Sequence, residues 1–187
     1  SGVKIMSYLV FFEDIAGKDY TQQEKEKIEY LSHPPVIGDR ISMGTQRLWH
    51  IVGVDLYQNS ENPENVIYLA HCTVDPKQIE SVERSSWFRL IAYQDRNPNL
   101  QLFLGDGMLL HVNKNLTGEK PKTGYLLPQY NVQDHTITSQ PWGIVSVTSY
   151  FPNPTINLTC YNAIHICQCA YVPEALQSDD THQLATA

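Results

Sequence analysis

Trp49-His50-Ile51-Val52-Gly53-Val54-Asp55-Leu56-Tyr57 reads against Trp142-Gly143-Ile144-Val145-Ser146-Val147-Thr148-Ser149-Tyr150, with five of nine positions identical and both ends matched. A turn-prone stretch follows each copy. Asn65-Val66-Ile67 through Cys72 to Pro76 then reads against Asn162-Ala163-Ile164 through Cys169 to Pro173, with four of twelve positions identical. Two blocks in the same order point to an internal repeat, and a repeat constrains architecture before any other reading does. Within the first block, alternation puts Trp49, Ile51 and Tyr57 on one face of a strand and Val52, Val54 and Leu56 on the other. Both faces are partly apolar, so this strand is expected to be central and covered on both sides. Val66 to Val74 returns beside it as a hairpin. The second hairpin uses Trp142 to Tyr150 and Ala163 to Val172, with Pro152 and Pro154 in its loop, where they cannot damage a ladder.

Outward from the hairpins, Tyr8 to Phe12 reads as a buried strand. Thr21-Gln22-Gln23-Glu24 has capping-box form and predicts a short helix through Leu31. His33-Pro34-Pro35 ends it, because proline cannot continue a helix. Gly38-Asp39 reads as a turn into a strand at Arg40 to Ser42, and Gly124-Tyr125-Leu126-Leu127 as its counterpart. In the second half Trp87 to Tyr93 is expected to take the place of Tyr8 to Phe12. Leu100 to Leu104 and Met108 to Val112 flank Gly105-Asp106-Gly107, a hairpin turn signal standing where the first half carries its helix. The predicted fold is mainly β: two related antiparallel β-meander halves forming a barrel or sandwich, with one short N-terminal helix. Residues 1–76 form the first half, 77–86 a connector, 87–173 the second half, and 174–187 a polar, disordered tail.

The chain has 187 residues, of which 42% are hydrophobic and 18% charged, enough apolar content to fold around a core without disulfides. Eleven Tyr and three Trp favour strands, and eleven Pro and ten Gly supply turns. A formal net charge of −7 repels phosphate backbones and anionic lipid, and the sequence shows no basic patch, which argues against nucleic acid and membrane partners. Met6 to Phe12 is too short to span a bilayer. With no secretory pattern, the expectation is a cytoplasmic protein whose four cysteines are reduced thiols.

His165-Ile166-Cys167-Gln168-Cys169 is the sharpest chemical candidate. On a strand, His165, Cys167 and Cys169 project to one face, about 6–7 Å apart in succession. Imidazole and thiolate are good zinc ligands, and Cys72, His71 or Cys160 could supply a fourth. Against this, ligands close in sequence usually come from Cys-x-x-Cys turns, and the aligned residues Tyr68, Ala70 and Cys72 are ordinary packing residues. The preferred reading is structural, with zinc as the alternative. Asp106 sits at a hairpin tip, where its side chain can bond the turn backbone or reach a ligand. Trp87, Tyr57 and Tyr150, with Trp49 and Trp142, could line an aromatic groove.

No Gly-x-Ser-x-Gly or phosphate loop is present, and Asp134-His135 is an acid–base pair in sequence only. The expected function is therefore a non-catalytic binding or assembly module. It would act through a cleft or apolar surface between the two halves, on a protein partner or small ligand and with no cofactor. Trp87, Tyr57, Tyr150 and Asp106 are its candidate contact residues. The alternative is a metal- or thiol-dependent enzyme or sensor using His165, Cys167, Cys169 and Cys72. A third reading is a homo-oligomer joined through an open sheet edge.

Overall fold

The computed structural model describes residues 7–14, 26–42, 48–73, 98–115, 117–131, 136–153 and 161–172. They form ten strands: β1 (Tyr8–Asp14), β2 (Glu26–Leu31), β3 (Arg40–Ser42), β4 (Leu48–Asn59), β5 (Val66–Thr73), β6 (Asn99–Gly105), β7 (Met108–Asn115), β8 (Leu126–Asn131), β9 (Thr136–Pro152) and β10 (Ala163–Tyr171). The protein is mainly β. All ten strands belong to one sheet of order β2-β1-β5-β4-β9-β10-β6-β7, with β3 added to β4 and β8 to β9. No helix among the described residues is long and apolar enough to cross a membrane.

Four expectations about the architecture are corrected. The halves are not antiparallel meanders, because β5 returns parallel to β1 and β10 parallel to β6. The sheet is therefore mixed. It is neither a closed barrel nor a pair of separate sheets. Its end strands β2 and β7 approach without pairing and leave a gap of about 490 Å³ lined by Lys27, Ile28 and Met108 to Val112.

The N-terminal helix is also overturned. Glu26–Leu31 is a strand paired antiparallel with β1, and the capping-box residues 21–25 lie outside the described residues. A helix of this length is marginal in water. Pairing with β1 instead brings Ile28 opposite Phe11, against the core, and lays the Lys27 ammonium 5.5 Å from the Phe12 ring centroid.

The third correction concerns the second half. β6, rather than Trp87 to Tyr93, takes the position of β1 beside the returning strand. Trp87 to Tyr93, the connector 77–86 and the tail 174–187 lie outside the described residues. Both halves thus open with a hairpin, β1–β2 and β6–β7. The second hairpin closes through the expected turn, with Asp106 and Gly107 both at positive φ (51° and 76°), the backbone a two-residue turn of matching twist requires.

The two sub-sheets share their connectivity and much of their register. β4 gains one residue, Val52, between the pairs Ile51–Cys72 and Gly53–His71. β9 gains one, Val145, between Ile144–Cys169 and Ser146–Gln168. In the turn before each sub-sheet's small strand, the amide of Gly38 donates to the Ile51 carbonyl and that of Gly124 to the Ile144 carbonyl, both at 2.8 Å. Where the halves meet, β4 and β9 pair antiparallel through Tyr57–Pro152, Gln58–Phe151 and Asn59–Tyr150.

The bulge corrects the expected faces of the first strand. Its extra residue moves Trp49 and Ile51 to the face that carries Val54, and Tyr57 lies on the opposite face. One inner core joins the halves: Phe11, Tyr57, Ile67 and Leu69 from the first pack with Leu100, Leu102, Tyr150, Ile164 and Ile166 from the second. Each half also has an outer cluster. Val10, Phe12, Trp49, Ile51, Ala70 and Cys72 form one. Phe103, Leu127, Ile144, Cys167 and Cys169 form the other. Glu13 ties the halves further, accepting hydrogen bonds from Lys114 Nζ (2.8 Å) and the Tyr161 hydroxyl (2.6 Å).

Candidate functional site

Strand registers align four polar side chains in one row across the outer face of the second half. Ser149 on β9 stands opposite His165 on β10, His165 beside Gln101 on β6, and Gln101 opposite Asn113 on β7. Residues opposite one another share a sheet face, which makes them direct neighbours. Ser149 Oγ and His165 Nδ1 are 2.8 Å apart. Asn113 Nδ2 donates to Gln101 Oε1 at 3.0 Å, and Gln101 Nε2 donates to the Glu119 carbonyl at 3.4 Å. The corresponding row of the first half is Leu56, Tyr68, Val10 and Glu29. Its first three residues, Leu56, Tyr68 and Val10, are replaced in the second half by serine, histidine and glutamine.

The centre of this polar row is buried, with His165 and Gln101 each 4% exposed. Buried polar groups are costly unless bonded, and His165 Nε2 has no hydrogen-bond partner among the described residues. Burial pushes the His165 imidazole below its ordinary value, and the nearby Lys120 ammonium pushes it the same way. The row borders a cleft of about 310 Å³. Gln101, buried, and Asn113, exposed, line it together. Phe103, Leu127 and Ile144 form an apolar wall, and Glu119, Lys120, Lys122 and Tyr125 surround the mouth. The loop carrying these rim residues turns through Gly118 and Gly124, both at positive φ.

The residues expected from sequence fall elsewhere. Tyr57 and Tyr150 are buried in the seam between halves. The Tyr57 hydroxyl donates to the Tyr161 carbonyl and accepts from its amide, at 3.1 and 3.3 Å, and the Tyr150 hydroxyl donates to Asn65 Oδ1 at 3.3 Å. Asp106 is exposed at its hairpin tip. Trp87, Cys160 and His135 lie outside the described residues.

Cys167 and Cys169 project with His165 from the outer face, as alternation requires, whereas Cys72 belongs to the first half's cluster. Among the described residues no three His, Cys, Asp or Glu side chains gather into a metal-binding group. Burial raises the Cys167 thiol to about 12; the neighbouring Cys169 adds to this and Lys120 opposes it. Burial alone raises Cys169 to about 11. Thiols so protonated are poor nucleophiles. Elsewhere, Asp55 Oδ2 lies 2.9 Å from His71 Nε2, both nearly sealed from solvent, and Gly53 leaves room for the His71 ring.

Gln101, Asn113, Ser149 and the Lys120 rim are the site residues that sequence reasoning missed. The available signal was a polar residue, Gln101, alternating with Leu100 and Leu102 in an otherwise apolar strand. No protein-family model, curated protein or solved structure matches the chain.

Proposed function

We propose that this protein is a binding module in which a duplicated β scaffold presents one polar cleft, on the outer face of its second half. The observation that carries the reading is the asymmetry of the two rows. Matched strand positions hold Leu56, Tyr68 and Val10 in one half and Ser149, His165 and Gln101 in the other. The first half's row, rich in apolar side chains, packs with few hydrogen-bond demands. Buried polar groups such as His165 and Gln101 must be satisfied or lose stability, so a row that carries them to the border of a cleft fits recognition better than packing. The cleft also has the mixture that small-ligand sites use, an apolar wall with a few fixed polar groups.

A fragment screen read by amide chemical shifts tests the proposal. Bound fragments should perturb Gln101, Asn113 and Tyr125 together. Gln101→Val, which installs the first half's Val10 at the matched position, should abolish those shifts while the remaining spectrum stays that of the folded protein. Fragments that gather only in the gap between β2 and β7, or that bind Gln101→Val equally well, would refute it.

A further inference from the structure

We infer that the cleft of the second half takes a singly charged carboxylate carried on a small apolar body. The inference rests on the binding-module reading and adds the chemistry of the ligand.

Two side-chain amide donors at the cleft have an N–H to spare. Gln101 Nε2 uses one N–H on the Glu119 carbonyl and keeps a second. Asn113 Nδ2 uses one on Gln101 and likewise keeps a second. At the mouth stand two ammonium groups, Lys120 and Lys122, and one carboxylate, Glu119. Among the described residues neither lysine forms an ion pair. Lys120 is exposed at the rim, and its charge reaches both His165 and Cys167. Two positive charges against one negative leave the cleft a single positive charge on a chain whose net charge is −7. That local excess matches a monoanion better than a doubly charged phosphate. Amide and ammonium donors suit a carboxylate, since charge-assisted hydrogen bonds are the stronger kind. Phe103, Leu127 and Ile144, all buried, offer the opposite wall to carbon. A cleft of about 310 Å³ limits the ligand to a small organic acid.

The experiment titrates the full-length protein with three probes, benzoate, benzyl alcohol and inorganic phosphate, following amide shifts of Gln101, Asn113 and Tyr125. Benzoate should bind there. Lys120→Met should weaken it roughly tenfold, the loss expected for one charged hydrogen bond. Glu119→Gln should tighten it. Both changes lie on the exposed rim, where folding is not at stake. Benzyl alcohol binding as tightly as benzoate, with no response to Lys120→Met, would overturn the carboxylate assignment yet leave the cleft a binding site. Phosphate displacing benzoate at equal concentration would overturn the apolar-body part. Failure of all three probes, together with fragments that bind only elsewhere, would sink the cleft reading itself.

Discussion

Tyr57 and Tyr150 stand at matched places on β4 and β9, and each hydroxyl reaches across the seam into the other half. Their bonds differ in kind. Tyr57 is fully buried and serves both the carbonyl and the amide of Tyr161, whereas Tyr150 meets the side chain of Asn65, an exposed residue. Removing the Tyr57 hydroxyl leaves buried backbone groups short of a partner, at about 1–3 kcal/mol. Water can replace Tyr150 at Asn65. Urea unfolding should therefore show Tyr57→Phe losing at least about 1 kcal/mol, and Tyr150→Phe about 0.5 kcal/mol or less. Equal losses would contradict the asymmetry.

Gly105 is the second point at which the fold has no slack. A Cβ there would sit 2.7 Å from Leu110 Cδ1 and 2.8 and 2.9 Å from two ring carbons of Trp142. The indole cannot flex away as an aliphatic tip can. Gly105→Ala should destabilise by about 1–3 kcal/mol, the range for overpacking. Adding Trp142→Leu should return part of that loss, because contacting residues couple. A thermal melt of the single and double variants decides it. Additive losses would place the strain elsewhere.

The two Trp hairpins were legible in the sequence because long runs of Val, Ile and Tyr with period-2 alternation write a strand directly. The bulges were not. Val52 and Val145 look like ordinary strand residues, and only the pairing of Ile51 with Cys72 and Gly53 with His71 reveals that one residue is extra. That hidden residue reversed the expected face of Trp49. β2 was misread for a different reason: the capping-box form of Thr21 to Glu24 points to a helix, whereas the pairing of β2 with Phe11 and Phe12 is non-local. The cleft was illegible because its row crosses four strands. Ser149, His165, Gln101 and Asn113 become neighbours only through three registers, and matching Trp87 to Tyr93 against β1 hid the correspondence of Gln101 with Val10.

The two sulfurs of β10 give an alkaline signature. The folded thiols ionise near about 12 for Cys167 and about 11 for Cys169, above their ordinary value of 9.0. A raised acid holds its proton in the folded state after the unfolded chain has released it. Its contribution is complete below pH 9 and is lost as pH rises toward the folded values, by up to about 1.4 kcal/mol per pH unit per thiol. Urea midpoints should fall between pH 9 and 10.5, and less so in Cys167→Ala than in the parent protein. At pH 8 the thiolate of Cys167 is about a thousandfold scarcer than that of an ordinary cysteine. Peptide-resolved alkylation should find it nearly inert until urea is added. Fast labelling of the folded protein would show that the thiol is neither buried nor suppressed.

His165 sets the acid limb. Burial and Lys120 both hold its folded-state value below the ordinary 6.5. On acidification the unfolded chain takes up a proton on this residue before the folded protein can. The stability it contributes is therefore present above pH 6.5 and drains away as pH falls below it. His111, lowered by burial, acts in the same direction. The difference in urea midpoint between pH 7 and pH 5 should shrink in His165→Gln relative to the parent protein. Benzoate at saturating concentration should leave the midpoint at pH 5 higher than benzyl alcohol does, since an anion in the cleft favours the folded state only where it binds. A midpoint difference identical in the parent and His165→Gln proteins would mean that the imidazole at the centre of the polar row is not held neutral by its surroundings.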